Sequence, residues 1–116
     1  MKIEWINYKG MQILFSDYKG LSSEEMIKHL KKETQMILQQ KEPILYMADF
    51  TSTIFTTEFM HAVNEDGKLT KRLVKKSALV GITGMKAVML NTFNMITGIK
   101  ARAFDNEYKA KDYLVN

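Results

Sequence analysis

The sequence contains no cysteine, one proline, one tryptophan and two histidines among 116 residues. Without cysteine there is no disulfide framework, no thiolate metal site and no thiol nucleophile. His29 and His61 have no close acid–histidine spacing beside them, so no zinc site is expected. Both histidines are assigned to the surface, His29 among Lys28, Lys31 and Lys32, and His61 off the stripe of Phe59, Met60 and Val63. Pro43 stands alone, and no Gly/Ser-rich linker, low-complexity tract or solenoid repeat divides the chain, so one domain over residues 1–116 is expected. The longest apolar runs, Ile44 to Ala48 and Ala78 to Ile82, fall far short of the roughly 20 residues a membrane helix needs. The opening Met1-Lys2-Ile3-Glu4-Trp5 has no leader pattern. These absences point to a soluble, cytoplasmic protein.

What is present is ordinary in amount. Hydrophobic residues make up 46% and charged residues 26%, a globular composition that excludes overall disorder. Seventeen basic residues against thirteen acidic ones leave a net charge of +4. The two signs are interleaved, as in Glu24-Glu25 before Lys28, which is a solvated surface rather than a track for phosphates, and no nucleic-acid partner is expected. The one concentration, Lys68, Lys71, Arg72, Lys75 and Lys76, is placed on the tail of a helix, facing solvent, an acidic partner or headgroups.

Periodicity gives the order of elements. Ile3–Asn7 and Met11–Asp17 form a hairpin around Tyr8-Lys9-Gly10, read as a three-residue loop. Ser22-Ser23-Glu24-Glu25 is a capping box that opens a helix ending near Gln40, with Met26, Ile27, Leu30, Ile37 and Leu38 inward. Ile44 to Ala48, ended by Asp49, is a strand covered on both faces. A second helix starts at Thr56 or Thr57 and carries its stripe through Leu73 and Val74, with Gly67 in it as a close contact or a break. Ser77 to Ile82 is the next strand. A third helix follows Gly81-Ile82-Thr83-Gly84, with Met85, Val88, Met89, Thr92, Phe93 and Ile96 as its buried face. Ile99 to Ala103 alternates as an edge strand, and Asp105 caps a last helix over Asn106 to Leu114. The order β-β-α-β-α-β-α-β-α predicts an α/β fold with a mixed sheet of about five strands, the later ones parallel.

Tyr8-Lys9-Gly10, Leu45-Tyr46-Met47-Ala48-Asp49, Ala78-Leu79-Val80-Gly81-Ile82-Thr83-Gly84 and Ala103-Phe104-Asp105 with Ala110-Lys111-Asp112-Tyr113-Leu114 together resemble a STAS-like domain. STAS is the fold of anti-sigma-factor antagonists and sulfate-transporter tails. The nearer likeness is to the stand-alone bacterial sporulation-antagonist-like branch, distantly related to CRAL-TRIO lipid-binding domains. The likeness spans nearly the whole chain and rests on the order and spacing of its pieces. It implies a regulatory, protein-binding module. In switch-type STAS domains a serine or threonine at the start of the second helix becomes phosphorylated. The matching stretch here, Ile54-Phe55-Thr56-Thr57-Glu58-Phe59, has the hydroxyls but lacks the preceding aspartate and the following glycine.

Geometry adds its own candidates. Ligands gather beyond the carboxyl ends of parallel strands. Two loops leave such ends here and lead into helix N-termini, which favour anions. The first offers Thr56 or Thr57 as a phospho-acceptor or partner contact, with Asp49, Ser52 and Thr53 beside them. The second, Gly81, Thr83, Gly84 and Lys86, is a candidate anion-binding loop. The simpler assignment makes Thr57 and Thr83 helix caps, Asp49 a loop closer and the glycines turn residues. Nine methionines, among them Met26, Met36, Met47, Met60, Met85, Met89 and Met95, either fill an ordinary core or line a pocket for an apolar ligand or lipid. No G-x-S-x-G, P-loop or H-E-x-x-H occurs; Glu24-Glu25 serve capping and Glu65-Asp66 a solvent face. The expectation is a non-enzymatic interaction module without cofactor or metal that binds another protein and is open to homodimer formation. The alternative is a small apolar-ligand carrier.

Overall fold

The computed structural model describes residues 2–116. Strands β1 (Lys2–Tyr8) and β2 (Met11–Asp17) form the hairpin; α1 (Ser23–Leu38), β3 (Ile44–Asp49), α2 (Thr57–Thr70), β4 (Val74–Val80), α3 (Met85–Thr97), β5 (Arg102–Phe104) and α4 (Glu107–Val115) follow. The sheet order is β1-β2-β3-β4-β5, with β1 antiparallel to β2 and all later pairs parallel. Each crossover steps one strand in the same direction. Since such crossovers turn right-handed, α1, α2 and α3 fall on one face. Leu14, Tyr46, Ala48 and Leu79 meet those helices in one core. Ile13, Phe15, Leu45, Met47, Ala78 and Val80 alternate to the other face, where Ala110 and Leu114 of α4 close a second core. The unbroken apolar run of β3 is explained by this double cover: all six of its residues are buried.

Several local elements differ from the sequence pattern. Tyr8 pairs directly with Met11, so the hairpin loop has two residues, not three, and both take positive φ, Lys9 at 52° and Gly10 at 82°. A turn of that twist matches the strands better than a longer loop. The capping box at Ser22 and Glu25 is present in both directions. Leu38, however, is exposed. Helix α2 stops at Thr70, followed by a 3-10 turn over Lys71–Leu73, and β4 starts at Val74 rather than Ser77. Leu73 and Val74 suit either period, and pairing of Val74 with Ile44 decides for the strand. The basic run is thereby split: Lys68 lies on α2, while Lys76 turns toward α4 and donates to the carbonyl of Tyr113 at 3.1 Å. Strand β5 is shorter than read, and Asn106, not Asp105, caps α4 through the Lys109 amide at 2.9 Å.

Helix α3 is turned differently from the expected register. Met85, Val88 and Ile96 are exposed, and Leu90, Phe93 and Thr97 pack inward. The helix is apolar almost all round, so its pattern admits several faces. Gly67 selects one: a Cβ there would stand 3.0 Å from both Phe93 and Thr97, which marks the close α2–α3 contact.

Candidate functional site

The carboxyl ends of β3 and β4 deliver the two predicted loops side by side. The Phe50 amide donates to the Val80 carbonyl at 2.8 Å, and Gly81 lies against Thr51. Gly81 takes φ 81°, and a Cβ on it would stand 2.5 Å from the Thr51 nitrogen. Only glycine allows both the conformation and the approach.

Asp49 ends β3 almost wholly buried. Its Oδ1 accepts from the Thr51 amide at 2.9 Å and the Thr51 hydroxyl at 2.6 Å, so it orders the loop, though through Thr51 rather than Ser52 or Thr53. Its other oxygen lies 3.8 Å from Lys19. Burial, then the Asp49 carboxylate, pushes the nearby Glu107 carboxyl above its usual range. Ser52 is exposed with φ 59°. Thr53 is buried and donates to the Phe50 carbonyl at 2.6 Å. That carbonyl also accepts from Lys86 at 3.0 Å. The Lys86 ammonium lies 5.7 Å over the Phe55 ring, and burial lowers its pKa. Lys86 therefore binds the first loop. Thr83 is exposed, and Gly84, not a threonine, holds the cap position before α3.

Thr56 and Thr57 divide the roles assigned to them jointly. Thr56 is the cap of α2, accepting from the Phe59 amide at 3.1 Å, and its hydroxyl meets Ser23. Thr57, one residue on, is exposed in the first turn. Among the exposed polar residues of the two loops and the helix starts that follow them, three large apolar side chains are also exposed. Ile54 is 77% exposed, Met85 67% and Val88 58%. Ile54 and Met85 are the chain neighbours of Phe55 and Lys86, which touch, so the two loops share this surface.

The interior holds what the sequence did not announce. Tyr18 and Tyr46 donate to the same Glu33 oxygen at 2.9 and 2.6 Å, and all three side chains are buried. Burial pushes Glu33 up, against the pull of its hydroxyl partners. Thr34 donates to Asp66 at 3.2 Å, so Asp66 is no solvent-face residue. Burial raises its pKa as well. His29 is 0% exposed, against its expected surface place. It packs on Tyr18 with ring centroids 4.3 Å apart, and its Nε2 lies 2.7 Å from the Ser16 hydroxyl. Burial pushes its pKa down to about 4. The signal was available: His29 and Glu33 follow Met26 by three and seven residues, on the face of Leu30 and Ile37. His61 is exposed as expected.

A cavity of about 100 Å³ lies between the sheet and α1–α3. Phe50, Phe55, Phe59 and Phe93 line it, and among the described residues Met60 is the only methionine that does. The Met-lined pocket is therefore an aromatic one. Met47 lies in the opposite core, and Met85 and Met95 are exposed.

No family model matches the chain, and no curated protein does. Two solved structures are similar. One is an uncharacterised protein of the DUF3478 family with a SpoIIAA-like fold from Shewanella loihica PV-4, at 17% identity and a TM-score of 0.75, over 97% of this chain and 92% of that one. The other is an anti-sigma-factor antagonist (STAS) domain protein from Planctomyces limnophilus, at 13% identity and a TM-score of 0.67, over 98% of each chain. Among the described residues no helix is long and apolar enough to cross a membrane. With its hairpin, its three one-sided crossovers and α4 on the far face, the chain has a SpoIIAA-like fold, similar to that of the STAS domain protein.

Proposed function

We propose that this protein is a non-enzymatic regulatory module that docks another protein at the carboxyl end of its parallel strands. The observation that carries this is the exposure of Ile54, Met85 and Val88 where the Asp49–Thr57 and Gly81–Lys86 loops meet. Apolar side chains gathered at a loop cluster on a rigid sheet mark an interaction surface. The loops are held in shape from below by Asp49, Thr51, Gly81 and Lys86, so docking costs little ordering. Thr57 adds an exposed hydroxyl at the start of α2, where a phosphate would gain from the helix dipole while Thr56 keeps the cap. The non-enzymatic reading is supported by the Ser–His pair found among the described residues: Ser16 and His29 are both 0% exposed, out of reach of a substrate.

A photo-crosslinking residue at position 54 tests it in the native host. It should capture one discrete protein, and the same probe at Gln39 should not. Ile54→Asp or Met85→Glu should abolish capture by a probe at position 88. Equal labelling from positions 54 and 39, or none from either, would overturn the docking surface.

A further inference from the structure

We propose that the cavity between the sheet and α1–α3 binds a small apolar amine as its ammonium, held against Glu33. The size of the guest follows from the volume. At about 100 Å³ the space is smaller than the ~150 Å³ engineered cavity that takes benzene, which sets a limit of about five or six non-hydrogen atoms.

The chemistry follows from where the wall's protons have gone. Tyr18 and Tyr46 have given theirs to Glu33. Thr34 has given its own to the Asp66 carboxylate, and Thr70 to the Asp66 carbonyl at 3.0 Å. All six of these groups are on the cavity wall or belong to residues that line it. What they present to a guest is lone pairs. Ser77 adds one hydroxyl that can turn either way. A carboxylic acid anion or a carbonyl would meet acceptors with an acceptor, while an ammonium offers three donors.

Charge points the same way. Glu33 is buried, and among the described residues no lysine or arginine forms an ion pair with it or with Asp66. A buried carboxylate without a cation is costly, and the desolvation that an incoming ammonium must overcome has on this side already occurred. The remaining wall favours a cation too, because the faces of Phe50, Phe55, Phe59 and Phe93 carry negative electrostatic potential. If Glu33 holds a proton, a neutral amine takes it on entering and the same ammonium–carboxylate pair forms, with no other group gained or lost.

The test uses the whole chain and four molecules of matched shape: isobutylamine, isobutanol, isopentane and isobutyric acid, each titrated at pH 7 against the amide NMR shifts of Phe59, Leu90 and Phe93 and the methyl shifts of Leu90. Isobutylamine should bind at least tenfold more tightly than isobutanol, and isobutyrate should not bind. Glu33→Gln should lose the tenfold preference for the amine and keep isobutanol binding. Leu90→Phe, which fills the space, should abolish both. If Glu33→Gln fails to fold, the ranking of the four molecules on the unchanged protein decides alone. Equal binding of amine, alcohol and acid would overturn the proposal, and so would the absence of shifts with all four, which would make the space a packing void.

Discussion

The hydroxyls of Ser23 and Thr56 lie 2.5 Å apart, so the first residue of α1 and the cap of α2 share one hydrogen bond. Two helix starts are thereby joined across 33 residues of chain. Thr56 also accepts from the Phe59 amide, so its hydroxyl serves two structural bonds.

Thr56→Ala should therefore destabilise the fold by about 1–2 kcal/mol, the usual cost of a lost cap with its extra bond. Thr57→Ala, at an exposed first-turn position, should stay within about 0.5 kcal/mol. Urea denaturation of the two variants checks the difference, and equal losses would remove the distinction between them.

Gly81→Ala should cost at least about 2 kcal/mol, because it adds a left-handed penalty to a clash with the Thr51 backbone. Gly10 has a similar φ of 82° with nothing within 4 Å of its virtual Cβ. Gly10→Ala should cost only the conformational part, about 1–2 kcal/mol. The gap between the two thermal midpoints isolates the contact between the loops.

The buried titratable groups act in opposite directions. His29 has a folded pKa of about 4 against an ordinary 6.5, so its contribution to stability is complete above pH 6.5 and is lost as the pH falls toward 4. Glu33 is raised above 4.5, so its folded form holds a proton more tightly, and its contribution is greatest in acid and declines as the pH rises past 4.5. His29→Gln should flatten the loss of stability on acidification between pH 6.5 and 4. Glu33→Gln should steepen that slope just above pH 4.5. Unfolding free energies measured across this range would show it, and a slope unmoved by His29→Gln would place that imidazole in contact with solvent.

Met85→Glu with Val88→Lys should leave stability within about 0.5 kcal/mol per site, since neither side chain is in the core. The pair should sharply reduce binding of a hydrophobic dye such as ANS to the folded protein. Unfolding of the double variant would mean that α3 packs by its outer face.

The fold was legible where local chemistry and tertiary need agree. Ser22 with Glu25 starts α1 by a reciprocal pair of bonds that two letters announce. Asp49 ends β3 because the first polar residue after a doubly covered run finds partners only at the loop. Legibility failed where the pattern was degenerate. Leu73 and Val74 satisfy both periods, and α3 is apolar on every side, so partners distant in sequence, Ile44 and Gly67, make those choices. Of the candidate site, Asp49 and Gly81 come together at Thr51, and Lys86 joins them through the Phe50 carbonyl. The polar interior was missed for another reason. Tyr18, Glu33 and Tyr46 come from β2's end, α1 and β3, and nothing local in any of them reports the other two.

The sheet order carries a consequence for synthesis. Strands are laid down beside one another in the order they are made, each covered at once by the helix next to it in sequence. The far face has no such escort. Ile13, Phe15, Leu45, Met47, Ala78 and Val80 accumulate there uncovered until α4 has left the ribosome and swung across them. A nascent chain stalled between β5 and α4 would display a broad sticky sheet surface to its neighbours, which makes the short α4 the element that ends the molecule's exposure to aggregation.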